Sequence, residues 1–436
     1  MGKAMVNPGK SFGKFLLLWS GQLVSAIGSG LTSFGLGIYV FQQTGKASEM
    51  ALVTLLAFMP SLLLSAFAGV LADRYDRRLL MVLGDGLSAL GLVFILVCML
   101  RGEALLWQIC AGVTISSVFS SLLEPAYRAT VSDLLTEEQY TKASGLVQVA
   151  GSAKFLISPI LAGLLLTVSD IKLLLMIDIG TIFVTILTTL AVRSGLASKT
   201  YERATSFIQE FKAGWGAVSD NRGVLVLVIM TSVLTFFLGV IETLFIPMLL
   251  AFTDISIVGT LETVVASGML VSSVILGFLS IKKGFVKILS VSLFCVGLFM
   301  AAFGLRENIV LIGISGFLFF AMMPFANVSL DFLVRTNLDN SVQGRAWALI
   351  GVISQLGFVA AYALSGVLAD YVFTPLLVEG GALAGSVGKI IGTGVGRGTG
   401  FLIIIAGMLL CVTSIILYQL KSVRKLEFGG GPCITD

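Results

Sequence analysis

Twelve apolar stretches, most of them 19 or more residues long, make up the bulk of this chain. Each can supply the roughly 20 residues that cross a ~30 Å hydrocarbon core as a helix, and each is longer than the about 9–11 residues of a barrel strand. A bilayer interior offers no water to unpaired backbone groups, so a spanning segment must satisfy its own hydrogen bonds, as a helix does. Composition points the same way. Residues are 57% hydrophobic and only 12% charged, where a soluble domain carries about 25% charged, and the mean hydropathy is +1.02. The sequence predicts an all-α polytopic membrane protein with twelve transmembrane helices in a 6+6 arrangement.

The predicted spans are 15–41, 49–72, 79–100, 104–126, 140–168, 171–193, 223–252, 256–281, 286–305, 308–335, 345–372 and 398–420. The first is too long for a signal-peptide core and has no clear small-residue cleavage site, so it reads as a true helix. The resulting domains are a cytoplasmic N-terminus (1–14), a first six-helix bundle (15–193), a linker (194–222), a second six-helix bundle (223–420) and a tail (421–436). In the linker, Phe207, Ile208, Phe211, Trp215 and Val218 share one helical face, which predicts a helix lying in the interface rather than a loose tether. Of the 28 basic residues, only Lys46, Arg101, Lys172, Arg306, Lys389 and Arg397 fall in loops opposite the termini, and Lys154 alone falls within a span. The positive-inside rule therefore predicts both termini in the cytoplasm of a plasma membrane, with the net charge of +4 facing that side.

Several classes of function are excluded. With no histidine there is no His metal site, His base or His proton relay. Cys98, Cys110, Cys295, Cys411 and Cys433 are scattered and odd in number, unlike a disulfide framework or zinc cluster. Pro8-Gly9-Lys10-Ser11 ends like a phosphate loop, but Ala4 stands where its first glycine belongs. The alternating Gly392, Gly394, Gly396, Gly398 and Gly400 miss the dinucleotide spacing. No cofactor, no metal, no ATP and no nucleic acid are expected. An intramembrane enzyme would need a convergent nucleophile, metal set or acid pair that is not apparent.

Between the second and third spans runs Gly69-Val-Leu-Ala-Asp73-Arg74-Tyr-Asp76-Arg77-Arg78. This resembles the cytoplasmic signature of the major facilitator superfamily in that same loop. Glu137 to Lys142, Ala266 to Leu270 and Gly344-Arg345 make the chain similar, more narrowly, to the macrolide-efflux branch of drug:proton antiporters, over roughly residues 12–427. The resemblance implies two six-helix halves working by alternating access. It also implies a latch in which Asp73 faces the start of the eleventh span near Ser341 and Arg345. Arg77 and Arg78 can pair with Glu124 or Asp133; the alternative is that these arginines only enforce topology. Three stretches depart from the family pattern. The fourth span has Thr114, Ser116, Ser117 and Ser120 where an Arg is common, the fifth reads Ser158-Pro159-Ile-Leu-Ala162-Gly163, and the second-half signature has become Gly277 to Gly284. These departures bear on coupling more than on fold.

Ionisable groups inside a span cost ~2.5–3.5 kcal/mol each on insertion scales. By resemblance, the first, fourth, seventh and tenth spans line the transport path. Their polar stripes are Gln22, Ser25, Ser29 and Ser33; Ser117, Ser120 and Glu124; Thr231, Thr235 and Glu242; and Asn327 with Asp331. Glu242, expected to be buried among apolar groups with Phe236, Phe237, Phe245 and Pro247 nearby, is the first candidate for a proton-coupling acid beside a lipophilic substrate. Its alternative is a Glu that merely reaches the headgroups. Asp331 is either a gate partner of Arg335 or a second acid of the path. Lys154 and Glu262 lie at similar depth, which suggests a gating pair; a static pair or a snorkelling lysine are the alternatives. Asp178 reads as structural, and Asp85 as part of the latch. The 373–397 loop is either a lid or a flexible connector, and Gly366-Val-Leu-Ala-Asp370 repeats Gly69–Asp73 by coincidence of a membrane-exit sequence.

The reading that results is a secondary transporter, not an enzyme. By resemblance it exports a bulky amphipathic compound, macrolide-like, in exchange for protons, and works as a monomer in the lipid bilayer. The rivals are an exporter of a defined metabolite such as a siderophore or lipid-like molecule, and a non-transporting membrane sensor.

Overall fold

The structure, a computed structural model, describes residues 11–193, 215–216, 218–279, 281, 283–338 and 340–427. These form helices α1 (Phe12–Thr44), α2 (Ala47–Arg74), α3 (Arg77–Arg101), α4 (Leu106–Ser120), α5 (Leu123–Leu134), α6 (Glu137–Leu156), α7 (Ser158–Val168) and α8 (Ile171–Arg193). There follow α9 (Arg222–Leu250), α10 (Ile255–Phe278), α11 (Phe285–Leu305), α12 (Ile309–Thr336), α13 (Asn340–Leu368), a π-helical turn (Ala369–Phe373), α14 (Thr374–Leu377), α15 (Val387–Ile391), α16 (Val395–Gln419) and α17 (Lys421–Lys425). Among the described residues, 12 segments are long and apolar enough to cross a membrane.

Two predicted spans are each made of two helices, and proline explains both breaks. Pro125 is the third residue of α5, so the carbonyl one turn back, on Ser121, has lost its helical donor where α4 stops. Pro159 stands at the second position of α7, where a missing N–H costs nothing. Loop ends are capped by their own side chains. Asp76 accepts from the Arg78 amide at 3.1 Å to start α3, and Asn221 accepts from Gly223 and Val224 at 3.0 and 3.3 Å to start α9.

The chain divides into two compact units, one of Met1–Gln43 and Leu52–Ala204, the other of Thr44–Ala51 and Thr205–Asp436. Within the first unit, α1 packs on α8 where Gly21 and Gly28 face Thr188 and Thr181, and α3 meets α4 where Gly91 faces Gly112. Within the second, α11 and α16 touch backbone to backbone at Gly297 with Gly407 and at Gly304 with Gly400. Lipid tails give helices no hydrophobic reason to associate, so close approach through small residues supplies the packing.

The 373–397 loop is folded rather than a flexible connector. Leu377, Ile391 and Ile404 form a small core joined by Leu383, Val387 and Phe401. The Gly394 amide donates to the Leu377 carbonyl at 3.0 Å, and that of Gly388 to the Leu383 carbonyl at 2.9 Å. The alternating glycines are packing sites. A Cβ on Gly396 would meet that of Ala251 at 2.6 Å, and one on Gly398 would strike the backbone of Thr374. Arg397, counted above as a loop charge, is only 2% exposed and donates to the Gly304 carbonyl at the end of α11. In the linker, Trp215 is half exposed and Val218 buried, while Phe207, Ile208 and Phe211 lie outside the described residues.

Candidate functional site

The C-terminal half of α9 is buried from Gly239 to Leu249 except at one residue, Glu242, which is exposed. This corrects the expectation of an acid enclosed by apolar side chains. Phe237, Phe245 and Pro247 fill the buried faces of the same helix, whereas the carboxylate emerges through the single gap between them. The Tyr362 hydroxyl on α13 donates to Glu242 Oε2 at 2.6 Å, a length typical of a hydroxyl bound to a charged carboxylate.

Small residues bring these two groups together. Gly357 and Ala361 lie one turn apart on α13, and a Cβ on Gly357 would strike the Ser232 carbonyl and Thr235 hydroxyl of α9. On the α9 side a Cβ on Gly239 would meet that of Ala361 at 2.6 Å. At that separation the residue after Ala361 reaches the acid three residues after Gly239. Thr235 ties the same seam by donating to the Ser354 carbonyl, and Phe358 lies 5.9 Å from the Tyr362 ring. Glu262 on α10 is within range of the Glu242 charge, and its Oε2 is shut from solvent with no hydrogen-bond partner. Phe236 and Phe237 meet edge to face at 5.5 Å beside the seam.

Tyr362 was not singled out from sequence, since the resemblance puts the transport path on other spans. The available signal was the Gly357–Ala361 spacing with a tyrosine directly after it. Other candidates lie elsewhere. Asp331 pairs with Arg335 on its own helix at 2.7 Å, with Arg335 exposed and Asp331 half-buried. In the first unit, Gln22 buries its amide nitrogen without a partner. Ser29 and Ser33 return their hydroxyls to carbonyls of α1, Ser29 half-buried and Ser33 exposed. Lys154 sits over the Phe155 ring at 5.8 Å and within range of the Asp178 charge.

Near the predicted latch, Arg77 reaches Asp133 at 2.9 Å and the Ala72 carbonyl at 3.2 Å, which joins the start of α3 to the end of α5. Glu124 instead pairs with Arg128 at 2.6 Å on the exposed face of α5, because an i,i+4 partner is nearer than the next loop. Arg78 is buried, and its Nε has no partner. Asp85, assigned above to the latch, is instead buried in α3 at 2% exposure, with its charge in range of Asp178. A Cβ on Gly69 would meet nothing within 4 Å among the described residues. Arg74 ends α2 as its only last-turn cation. The side chains of Asp73 and Arg345 lie outside the described ones.

Twelve hydrophobic helices among the described residues, in two compact units, define a polytopic α-helical membrane protein. The chain belongs to the Major Facilitator Superfamily, whose sequence profile matches residues 18–362. It is 27% identical over 377 residues to macrolide efflux protein A of Streptococcus pyogenes, which covers 82% of this chain and 89% of that protein. A protein of the same name from Enterococcus faecalis is 26% identical over 332 residues, 72% of this chain and 98% of the other. Among solved structures, the POT family transporter PepTSo superposes with a TM-score of 0.76 at 9% identity, over 96% of this chain and 99% of that one. The protein is thus an integral protein of the bacterial plasma membrane that carries a small substrate.

Proposed function

We propose that this transporter exports a bulky amphipathic compound, macrolide-like in size and polarity, in exchange for protons, with both termini in the cytoplasm. The relatives named for macrolide efflux support the substrate class, and the loop distribution of Lys and Arg supports the orientation. The observation that carries proton exchange is the exposed Glu242 held by Tyr362 at 2.6 Å. Ionised, the carboxylate accepts the phenol's hydrogen bond. Once protonated it accepts as a neutral group and carries a donor of its own, so the bond that ties α9 to α13 loses its charge assistance and weakens. Proton loading at one residue thereby alters how two helices meet, which is what an exchanger needs at its coupling site. A lipophilic cation would favour the ionised form, and a proton would displace it.

Proteoliposomes with an imposed pH gradient and a panel of macrolides and fluorescent lipophilic cations test this. Gradient-driven movement lost in Glu242→Gln is the expected result; movement indifferent to both gradient and substitution would remove the antiport mechanism. Lys154 with Glu262 is retained as a gating pair: exchange of both charges should restore transport that either single reversal abolishes.

A further inference from the structure

Residues Thr44–Ala51 group with the second unit, although the helix they open continues in the first. The contact that holds them is made by Asp370. Its Oδ1 accepts the Ala47 amide at 3.2 Å and its Oδ2 accepts the Ser48 amide at 2.7 Å. These are the first two amides of α2, groups a helix cannot pair internally, at the positive end of its dipole. One turn earlier on α13, Gly366 lies so close that a Cβ would meet Ser48 Cα at 2.5 Å and the Ala47 carbonyl at 2.8 Å. Ala47, Met50 and Ala51 are buried as a result, at 1%, 5% and 2% exposure.

Three neighbouring features fit the contact. Gly45 takes a left-handed φ of +68° that turns the chain into the helix. Lys46 pairs with Glu49 at 3.4 Å and lies within electrostatic range of Tyr371. Asp370 and Tyr371 are both presented by the π-helical turn Ala369–Phe373, a wide turn often found where a helix does work. The repeat Gly366-Val-Leu-Ala-Asp370 is therefore not idle. Glycine and aspartate four residues apart share one helix face, one permitting close approach and the other binding the amides it exposes.

We propose that Gly366 and Asp370 form a clasp on the start of α2 at the outer membrane face, and that Asp370 is a positioning residue whose release accompanies opening of that face. The proposal rests on the orientation and alternating-access reading given above. A bidentate carboxylate on two free amides suits this role, because water can replace both bonds when the clasp opens, with no group left buried and unpaired.

The test needs no substrate. In a chain with Cys98, Cys110, Cys295, Cys411 and Cys433 replaced by serine, Met50→Cys is labelled in intact cells with a membrane-impermeant maleimide. Asp370→Ala and Gly366→Ala should each raise the labelling rate about fivefold, the scale of a lost helix cap. Asp370→Asn should stay within about twofold of the parent, since its amide oxygen can still cap. A Met300→Cys reporter, from a site with 0% exposure in α11, should stay protected throughout, which separates release of the clasp from unfolding. Unchanged labelling in both clasp variants overturns the proposal. So does a response to Gly366→Ala alone, which would leave only a packing contact. A rate increase seen solely with a permeant maleimide would keep the clasp and refute the orientation.

Discussion

At the scale of single residues, two side chains carry more than their neighbours. Glu242 and Tyr362 form one hydrogen bond across α9 and α13, so the two substitutions should separate its roles. Glu242→Gln removes the proton carrier and should abolish gradient-driven transport. Tyr362→Phe removes only the donor, so transport should persist with its pH profile displaced, as uptake rates measured across pH would reveal. Arg397 has a structural task. It donates to the Gly304 carbonyl and approaches Glu307 at 3.8 Å, serving the carbonyl-rich end of α11, where the last helical carbonyls have no internal donor. Arg397→Met keeps bulk but orphans that carbonyl, a loss of about 1–3 kcal/mol for a buried acceptor. A lower melting temperature in detergent, with Glu242-dependent transport retained at low temperature, is the expected outcome. Sequence could expose Glu242 as an ionisable group in a span, but the partner of a carboxylate depends on which helix lies opposite. Nothing local to Tyr362 or Arg397 records that.

At the scale of elements, the helices themselves were legible because hydropathy alone sets where a chain must cross a bilayer. The breaks at Ser121–Leu122 and after Ile157 were not, since a proline inside an apolar run either kinks a helix or starts a new one, and neighbouring packing decides between them. Glycines show the same division. In sequence Gly69 and Gly268 look alike, but a Cβ on Gly268 would strike the Phe317 carbonyl of α12, whereas one on Gly69 meets nothing within 4 Å among the described residues. Gly268→Val should therefore overpack α10 against α12 at a cost of about 1–3 kcal/mol, and Gly69→Ala should leave the melting temperature unchanged. Thermal unfolding of the two purified variants side by side checks the contrast. Equal destabilisation would contradict the packing described here.

At the scale of the whole molecule, twelve spans and the 6+6 plan follow from hydropathy and from the position of the linker, whereas the allegiance of Thr44–Ala51 does not. Only the fold brings Asp370 to the start of a helix more than 300 residues away in sequence. The same segment bears on how the molecule answers pH. Lys46 is held above its ordinary 10.5, first by its hydrogen bond to Glu49, then by the Tyr371 and Glu49 charges. A raised value means the contribution is fully present below the ordinary lysine range and is lost only as pH climbs through the raised one. Glu49, Tyr371 and Asp370 are the other titratable groups around it. Lys46 therefore stays charged across roughly pH 5–9, well below a lysine's titration, and cannot be the source of pH-dependent transport in that window. Lys46→Met should leave the shape of the pH–rate profile intact, even where it changes its height by loosening the clasp. Glu242→Gln should flatten the profile. A profile reshaped by Lys46→Met would move the pH response from the α9–α13 seam to the clasp on α2.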